Sequence, residues 1–302
     1  MASLAALPAQ DTRALRRILR GPEDPPWELW QRMPPAALAG SVAGLWAGHS
    51  TEESSRHRTL PNGELTLMFH LGPTQRLLEL DGRPCRTALG RGFLAGLQVR
   101  PATFETLEAH TRVAAVRLLP LGGWLLLGGL PQSDVTGCVI EAEAVLGGRA
   151  GVRALVERMS NAPNLGVALD WLEAWILDRF AQARPAHVAT RVAGSLLRRA
   201  QGTLSVEGLA DASALSPRRL RELFLREVGV SPKRLARILR FRAAVERLAT
   251  APAVDLARLA VDCGYYDQAH LDRDFRDLAT MTPTDYRVAL GAGLDGPDVL
   301  GS

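Results

Sequence analysis

Between residues 42 and 119 the chain alternates short apolar runs with turn signals. Leu65, Leu67 and Phe69 are separated by single residues, which is the period-two pattern of a strand buried on one face. Glycine-containing turns such as Asp81-Gly82 recur every 9 or 10 residues. We therefore predict antiparallel strands packed as a sandwich or barrel, among them residues 64–70, 76–80 and 113–119.

Helical periodicity flanks this segment. Leu15, Ile18 and Leu19 share one side of a short amphipathic helix predicted at the start of residues 11–33. Trp171 and Trp175 could form an aromatic cage for a ligand, although core packing is the more common role of such a pair. The later predicted helices span residues 124–127, 141–146, 152–159 and 166–180, and a linker is predicted over 181–190.

The last third of the chain contains an internal duplication. Residues 206–216 align with 256–266 at an offset of 50, and residues 224–232 align with 275–283 at an offset of 51. Each copy has a short helix, a turn of small residues and a second helix, which is the pattern of a helix-turn-helix. Ser216 and Asp267 are placed to cap the two second helices.

The segment between the two copies predicts a rigid connection. Residues 233–249 contain neither Gly nor Pro, and as one helix they would be about 26 Å long. Second helices held apart by such a rod could enter successive major grooves, which lie about 34 Å apart along one face of B-DNA.

Charge is concentrated in the same region. The chain has a net charge of +4, but residues 191–250 carry 13 Lys and Arg against 5 Asp and Glu. A basic block in a near-neutral chain is typical of a surface that binds a polyanion.

Composition and motifs limit the other possibilities. The three cysteines are too few for a four-thiolate zinc site and read as small core residues, and the six histidines lack metal-ligand spacing. Nucleophile-elbow, dinucleotide-binding and phosphate-loop motifs do not occur in the sequence. No secretory signal or membrane span is indicated. We expect a cytoplasmic protein that is not an enzyme and has no metal or cofactor.

Residues 190–290 resemble the AraC/XylS-type transcription regulators. The resemblance rests on Leu215-Ser216-Pro217-Arg218, on Gly229-Val230-Ser231-Pro232, on residues 264–271 and on Thr282-Pro283-Thr284-Asp285-Tyr286-Arg287. It implies a bacterial DNA-binding domain with two helix-turn-helix units whose second helices contact bases. Carried over by position, the implied DNA-binding residues are Arg218, Arg219, Arg221 and Glu222 in the first unit and Gln268, Ala269, Asp272 and Arg273 in the second. His270 matches a family position that serves helix packing.

Two features depart from the family pattern. Thr280 stands where the family usually has glycine, so a strained or altered helix end is expected there. The second recognition helix has a charge balance of −2 and the first one of +2. Phosphate attraction should therefore be stronger at the first unit and the connecting helix.

Residues 40–135 also resemble an uncharacterised sensor-like domain that precedes such DNA-binding domains. The resemblance implies binding of a small-molecule effector or dimerisation. Phe69, Gln98 and Arg100 are candidate ligand-binding residues, although Gln98 and Arg100 could equally stabilise turns.

Together these patterns predict an α+β protein. Residues 1–185 would form a β-rich ligand-sensing or dimerisation domain with flanking helices. Residues 186–290 would form an all-α DNA-binding domain with two helix-turn-helix units joined by a linker helix. Residues 291–302 would form a flexible tail. The leading function is a transcription regulator that binds double-stranded DNA and responds to a small-molecule effector. The alternatives are a regulator whose first domain only dimerises or recruits a partner such as RNA polymerase, and, less favoured, an enzyme fused to a DNA-binding domain.

Overall fold

The structure is a computed structural model that describes residues 16–20, 27–51 and 55–291. It has a β-rich N-terminal part with flanking helices and an all-helical C-terminal part, so the predicted α+β fold is confirmed. Within the described residues no helix is both long and apolar enough to cross a membrane.

The strands form two antiparallel sheets. The larger sheet has the order β1-β2-β3-β10-β5-β8-β11 and the smaller one β4-β9-β6-β7. The strands are β1 (Arg16–Arg20), β2 (Trp27–Arg32), β3 (Val42–Ser50), β4 (Ser55–Thr59), β5 (Leu65–His70), β6 (Gln75–Leu80), β7 (Arg83–Ala88), β8 (Gly92–Ala95), β9 (Ala102–Thr106), β10 (Thr111–Leu118) and β11 (Val139–Glu141).

The two faces of the larger sheet have different partners. Leu65, Leu67 and Phe69 of β5 belong to the main core, where the ring of Phe69 meets Trp175 edge to face. The alternate residues Thr66 and Met68 face a cavity between the two sheets. The predicted alternation along β5 is therefore confirmed.

Four helices flank the β-rich part. They are α1 (Pro120–Leu126), α2 (Ala142–Val145), α3 (Arg149–Ser160) and α4 (Leu165–Ala181), close to the four predicted segments. Helix α4 lies across β3 and β10 and buries Leu169, Leu172 and Ile176. Because Trp175 packs on the sheet with Phe69, it serves as a core residue.

The helix predicted at the start of residues 11–33 is wrong over the residues that the structure describes. Residues 11–15 lie outside those residues, and Arg16–Arg20 is strand β1, paired antiparallel with β2. Short isolated helices are marginal in water. Pairing along β2 supplies a full ladder of backbone hydrogen bonds instead, from Arg16 opposite Gln31 to Arg20 opposite Trp27.

The C-terminal part consists of seven helices among the described residues. They are α5 (Val188–Arg199), α6 (Val206–Ala212), α7 (Pro217–Glu227), α8 (Pro232–Thr250), α9 (Leu256–Asp262), α10 (Gln268–Ala279) and α11 (Pro283–Gly291). Helix α8 has 19 residues and a length of about 28 Å, which confirms the predicted rod. It buries apolar residues along its length, including Leu235, Phe241 and Leu248.

The cysteines occupy three separate places. Cys263 is buried, whereas Cys85 and Cys138 are half-buried and their thiols donate to backbone carbonyls of Leu77 and Thr136. The expectation of three core cysteines is met most fully by Cys263.

Candidate nucleic-acid interface and interior cavity

The two predicted helix-turn-helix turns have the same backbone geometry. In the first, Leu215 N–H donates to the Ala210 carbonyl at 3.0 Å, and in the second Tyr265 N–H donates to the Ala260 carbonyl at 2.9 Å. The residues before these donors, Ala214 and Gly264, both have positive φ angles, 52° and 78°. This left-handed residue after a helix end closes the same reverse turn in each copy.

Helix α7 presents a basic outer face. Ser216 caps it by accepting from Arg219 N–H at 3.2 Å, and Pro217 occupies its first position. Leu220, Leu223 and Phe224 are buried beneath it. The side chains of Arg218, Arg219, Arg221 and Glu222 are all exposed on the opposite side.

Glu222 organises part of that face. Its carboxylate accepts from Arg219 at 3.0 Å and from Arg218 at 3.4 Å. These hydrogen bonds hold the pKa of Glu222 below its ordinary value. Because both arginines remain more than half exposed, they can still donate to a phosphate or a base edge.

Helix α10 presents a mixed face. Asp267 caps it through His270 N–H at 2.7 Å, and Gln268, Ala269 and Arg273 are exposed. Asp272 is half-buried and lies 3.9 Å from Arg276 of the same helix. His270 packs its ring against Tyr265 at 5.1 Å, which agrees with a packing role.

The acidic charge of α10 is directed mainly inward. Asp274 is 3% exposed and accepts from Arg237 of α8 at 2.7 Å, while Asp277 lies 2.6 Å from the same guanidinium. Burial lowers the pKa of Arg237, but the two carboxylates outweigh it and the pKa lies above its ordinary value. The charge balance of the helix therefore overstates the negative charge on its outer face.

A cavity of about 260 Å³ lies between the two sheets. Much of its wall is apolar, from Leu29, Trp46, Met68, Phe93, Phe104 and Val113. Its polar lining includes His49, whose pKa is lowered by burial and by the nearby charges of His110 and Arg112.

Two wall residues of this cavity contact the helical part directly. Glu64 is buried and accepts from Arg242 of α8 at 2.5 Å. The guanidinium of Arg58 donates to the hydroxyl of Thr280, the residue that ends α10. A change in the cavity wall at Glu64 would thus reach α8, which connects the two units, and a change at Arg58 would reach the end of α10, which carries candidate DNA-contacting residues.

Family comparisons match both parts of the chain. Residues 209–289 match a family described as a helix-turn-helix domain, and residues 31–141 match a domain of unknown function, DUF6597. The C-terminal part is an AraC-type helix-turn-helix domain. The chain therefore has the DNA-binding domain of a transcription regulator, and both predicted family resemblances are confirmed.

Solved structures of low similarity were also found. ToxT from Vibrio cholerae has 8% identity and a TM-score of 0.44, with 78% of this chain and 97% of that one covered. An AraC-type regulator from Chromobacterium violaceum has 23% identity and a TM-score of 0.32, with 34% and 91% covered. The C-terminal domain of AraT from Geobacillus stearothermophilus has 24% identity and a TM-score of 0.32, with 34% and 86% covered. No curated protein matches the chain.

The candidate ligand residues named from sequence lie in three different settings. Gln98 lines the cavity, and its amide donates to the Gly96 carbonyl at 2.9 Å. Phe69 instead packs in the main core, because odd-numbered residues of β5 face away from the cavity. Arg100 is outside the cavity wall and exposed, 3.6 Å from Asp81.

From the sequence we did not identify the cavity residues that contact the helical part or carry hydrogen-bond donors with no acceptor among the described residues. Trp46 comes from β3, Glu64 from the turn before β5 and Arg117 from β10, and only the sheet register brings them together. The alternation along β5 and β10 was a usable signal, because it separates cavity-facing from core-facing positions.

Proposed function

We propose that this AraC-type regulator binds duplex DNA with residues 186–290 and adjusts that binding when a small molecule occupies the cavity of residues 1–185. In the first unit, Arg218, Arg219, Arg221 and Glu222 would contact DNA. In the second unit, Gln268, Ala269, Asp272 and Arg273 would do so. The exposed basic face of α7 supports DNA contact. The connecting helix of about 28 Å holds the two units apart along a duplex whose successive major grooves lie about 34 Å from each other.

The observation that carries the effector role is the pair of contacts between the cavity wall and the DNA-binding helices. Glu64 binds Arg242 in the connecting helix, and Arg58 binds Thr280 at the end of the second recognition helix. Burial lowers the pKa of Arg242, but Glu64 and Glu246 outweigh it, so the pKa is raised. Arg242 therefore stays charged and held between the two parts.

A ligand affects DNA binding only if it interacts differently with two arrangements of the protein. A molecule that displaces Glu64 or Arg58 meets this requirement, because it breaks a contact to α8 or α10. The cavity would then be coupled, through α8 and the end of α10, to the relative placement of α7 and α10, without any change within these two helices.

The first test measures DNA binding of the full chain to fragments selected from its source genome, by fluorescence anisotropy across a salt series. The logarithm of affinity should fall linearly with the logarithm of salt concentration, and replacing one phosphate-binding arginine should lower the slope by about 1. Affinity that barely changes with salt would contradict the proposal.

The second test removes the contacts between the two parts. Glu64→Gln and Arg58→Ala should each change DNA affinity about fivefold or more without any ligand, since the contacts bias the arrangement of the helices. Arg100→Ala, at an exposed position outside the cavity wall, is the matched control and should leave affinity unchanged. Unchanged affinity in both test variants, with folding verified by circular dichroism, would rule out this route.

A further inference from the structure

Three hydrogen-bond donors are adjacent on the cavity side of the larger sheet. Arg117 of β10 lies opposite Thr66 of β5, and Ala115 lies opposite Trp46 of β3. Trp46 is thus the diagonal neighbour of Arg117 on the same face, within reach of a long side chain. All three side chains line the cavity.

Two of these side chains, Trp46 and Arg117, have N–H groups available for an acceptor from outside the protein. The indole N–H of Trp46, a residue 8% exposed, has no acceptor among the residues that the structure describes. Arg117 Nη1 lies 3.7 Å from Glu64 Oε2, beyond hydrogen-bond distance. Buried donors of this kind are normally satisfied by water or a ligand.

The charge of the surroundings favours an acceptor that is negative. Glu64 is shared between Arg117 and Arg242, and Glu246 also pairs with Arg242. Arg198 also interacts electrostatically with Glu64, so three guanidiniums share the two carboxylates Glu64 and Glu246. The other carboxylate of the cavity wall, Glu28, accepts from the indole N–H of Trp30 at 2.6 Å. A planar guanidinium with a loosely held partner is the side chain best suited to bind a carboxylate through two parallel hydrogen bonds.

The rest of the cavity suits an apolar body of limited size. Leu29, Met68 and Val113 of its wall pack around Trp46, and the rings of Phe93 and Phe104, also in the wall, stack on each other. Its volume of about 260 Å³ equals that of about nine water molecules at about 30 Å³ each. This is the scale of a compact acid with one or two rings or a short alkyl chain.

We infer that the cavity binds a small organic acid, with its carboxylate on Arg117, Trp46 and Thr66 and its apolar body against Phe93 and Phe104. The regulatory meaning of this site rests on the proposed function. An acid on Arg117 competes with Glu64, the residue that also holds Arg242, so binding would loosen the contact to the connecting helix.

The experiment measures binding to the full-length protein by isothermal titration calorimetry and thermal shift. The probes are benzoate, indole-3-acetate and octanoate, each paired with its neutral amide. At least one acid should bind, and its amide should bind about tenfold or more weakly, because the amide lacks the charge that strengthens a hydrogen bond to Arg117.

Arg117→Gln should remove the preference for the acid over its amide. Arg117→Lys keeps the charge but not the paired geometry and should retain part of the preference, which covers the case in which the glutamine variant fails to fold. Arg100→Gln is the control and should bind the acid as the wild type does.

Three results would overturn the inference: no acid binds at millimolar concentration, the amides bind as tightly as the acids, or Arg117→Gln and Arg117→Lys keep the full preference. These measurements need no DNA, so a wild type that binds DNA but no acid would fail this inference and leave DNA recognition standing. A wild-type protein that binds an acid but no DNA would support this inference and contradict the proposed DNA-binding function.

Discussion

The two helix-turn-helix units share a backbone and differ in the chemistry placed on it. Their turns make equivalent hydrogen bonds, from Leu215 to Ala210 and from Tyr265 to Ala260. At the sequence offset of 51, however, Arg221 corresponds to Asp272 and Glu222 to Arg273, so two neighbouring outward positions exchange charge. Duplication therefore preserved the positions that shape the unit and left the outer positions open to change.

This comparison also shows why net helix charge is a poor guide to a binding surface. Both Asp274 and Asp277 of α10 pair with Arg237 of the connecting helix. In α7 the corresponding positions are Leu223 and Arg226, of which the first is buried and the second exposed. In the second unit, acidic residues of α10 therefore pair with α8. The position in α7 that corresponds to Asp274 is instead apolar and buried.

The ends of the two recognition helices differ as well. Gly229 and Thr280 correspond, and both have left-handed backbones with φ of 91° and 58°. A Cβ on Gly229 would lie 2.9 Å from the carbonyl oxygen of Gln132, in the 3-10 turn Gln132–Asp134 of the N-terminal part. Thr280 has room for its side chain and uses the hydroxyl to contact Arg58. From the sequence we expect strain at Thr280, because the family usually has glycine there. The threonine side chain also makes a contact that glycine could not make.

The largest expected effect tests this difference at the helix ends. Gly229→Ala should lower the free energy of unfolding by about 3 kcal/mol, because an unfavourable backbone and a clash with Gln132 add together. Chemical denaturation measures it. Gly151→Ala in α3 is the control and should stabilise by about 0.5 kcal/mol, since its Cβ would meet nothing within 4 Å. Similar stability of Gly229→Ala and wild type would remove the argument for close contact between α7 and the N-terminal part.

A somewhat smaller effect tests the outer faces. Arg218→Ala should weaken specific DNA binding by about 1 to 3 kcal/mol, and Asp272→Ala should weaken it less, because Arg218 is 92% exposed and Asp272 is half-buried. Competition binding against a scrambled duplex measures both. Equal losses of specific binding free energy in Arg218→Ala and Asp272→Ala would mean that the two units contribute equally to DNA recognition, despite the different charges of their outer faces.

The smallest effect concerns the pH response of the first unit alone. Because the pKa of Glu222 is lowered in the fold, its contribution to stability is present above its ordinary pKa and lost as pH falls through the lowered value. The difference in unfolding free energy between wild type and Glu222→Gln should therefore shrink between about pH 6 and about pH 3. A difference that is constant over this range would show that the Arg218 and Arg219 contacts do not favour the charged carboxylate.

Most of the local structure could be predicted from sequence, and the exceptions have physical causes. The duplication, the 19-residue rod, several strands and the four flanking helices follow from periodicity and capping. The β1 strand was missed because its hydrogen bonds come from β2, which a local pattern does not report. The cavity residues were largely missed for the same reason, as Trp46, Thr66 and Arg117 become neighbours only through sheet register.

The sequence by itself determined that two copies of one recognition unit are joined by a stiff helix behind a β-rich domain. Such features depend on residues close together along the chain, where helix and strand periods and capping act. The tertiary structure alone decided which charges face outward, since Arg237 reaches Asp274 and Asp277 from another helix. It also decided that Glu64 and Arg58 join the cavity to α8 and to the end of α10, because residues 178 and 222 positions apart meet only when both parts fold and pack.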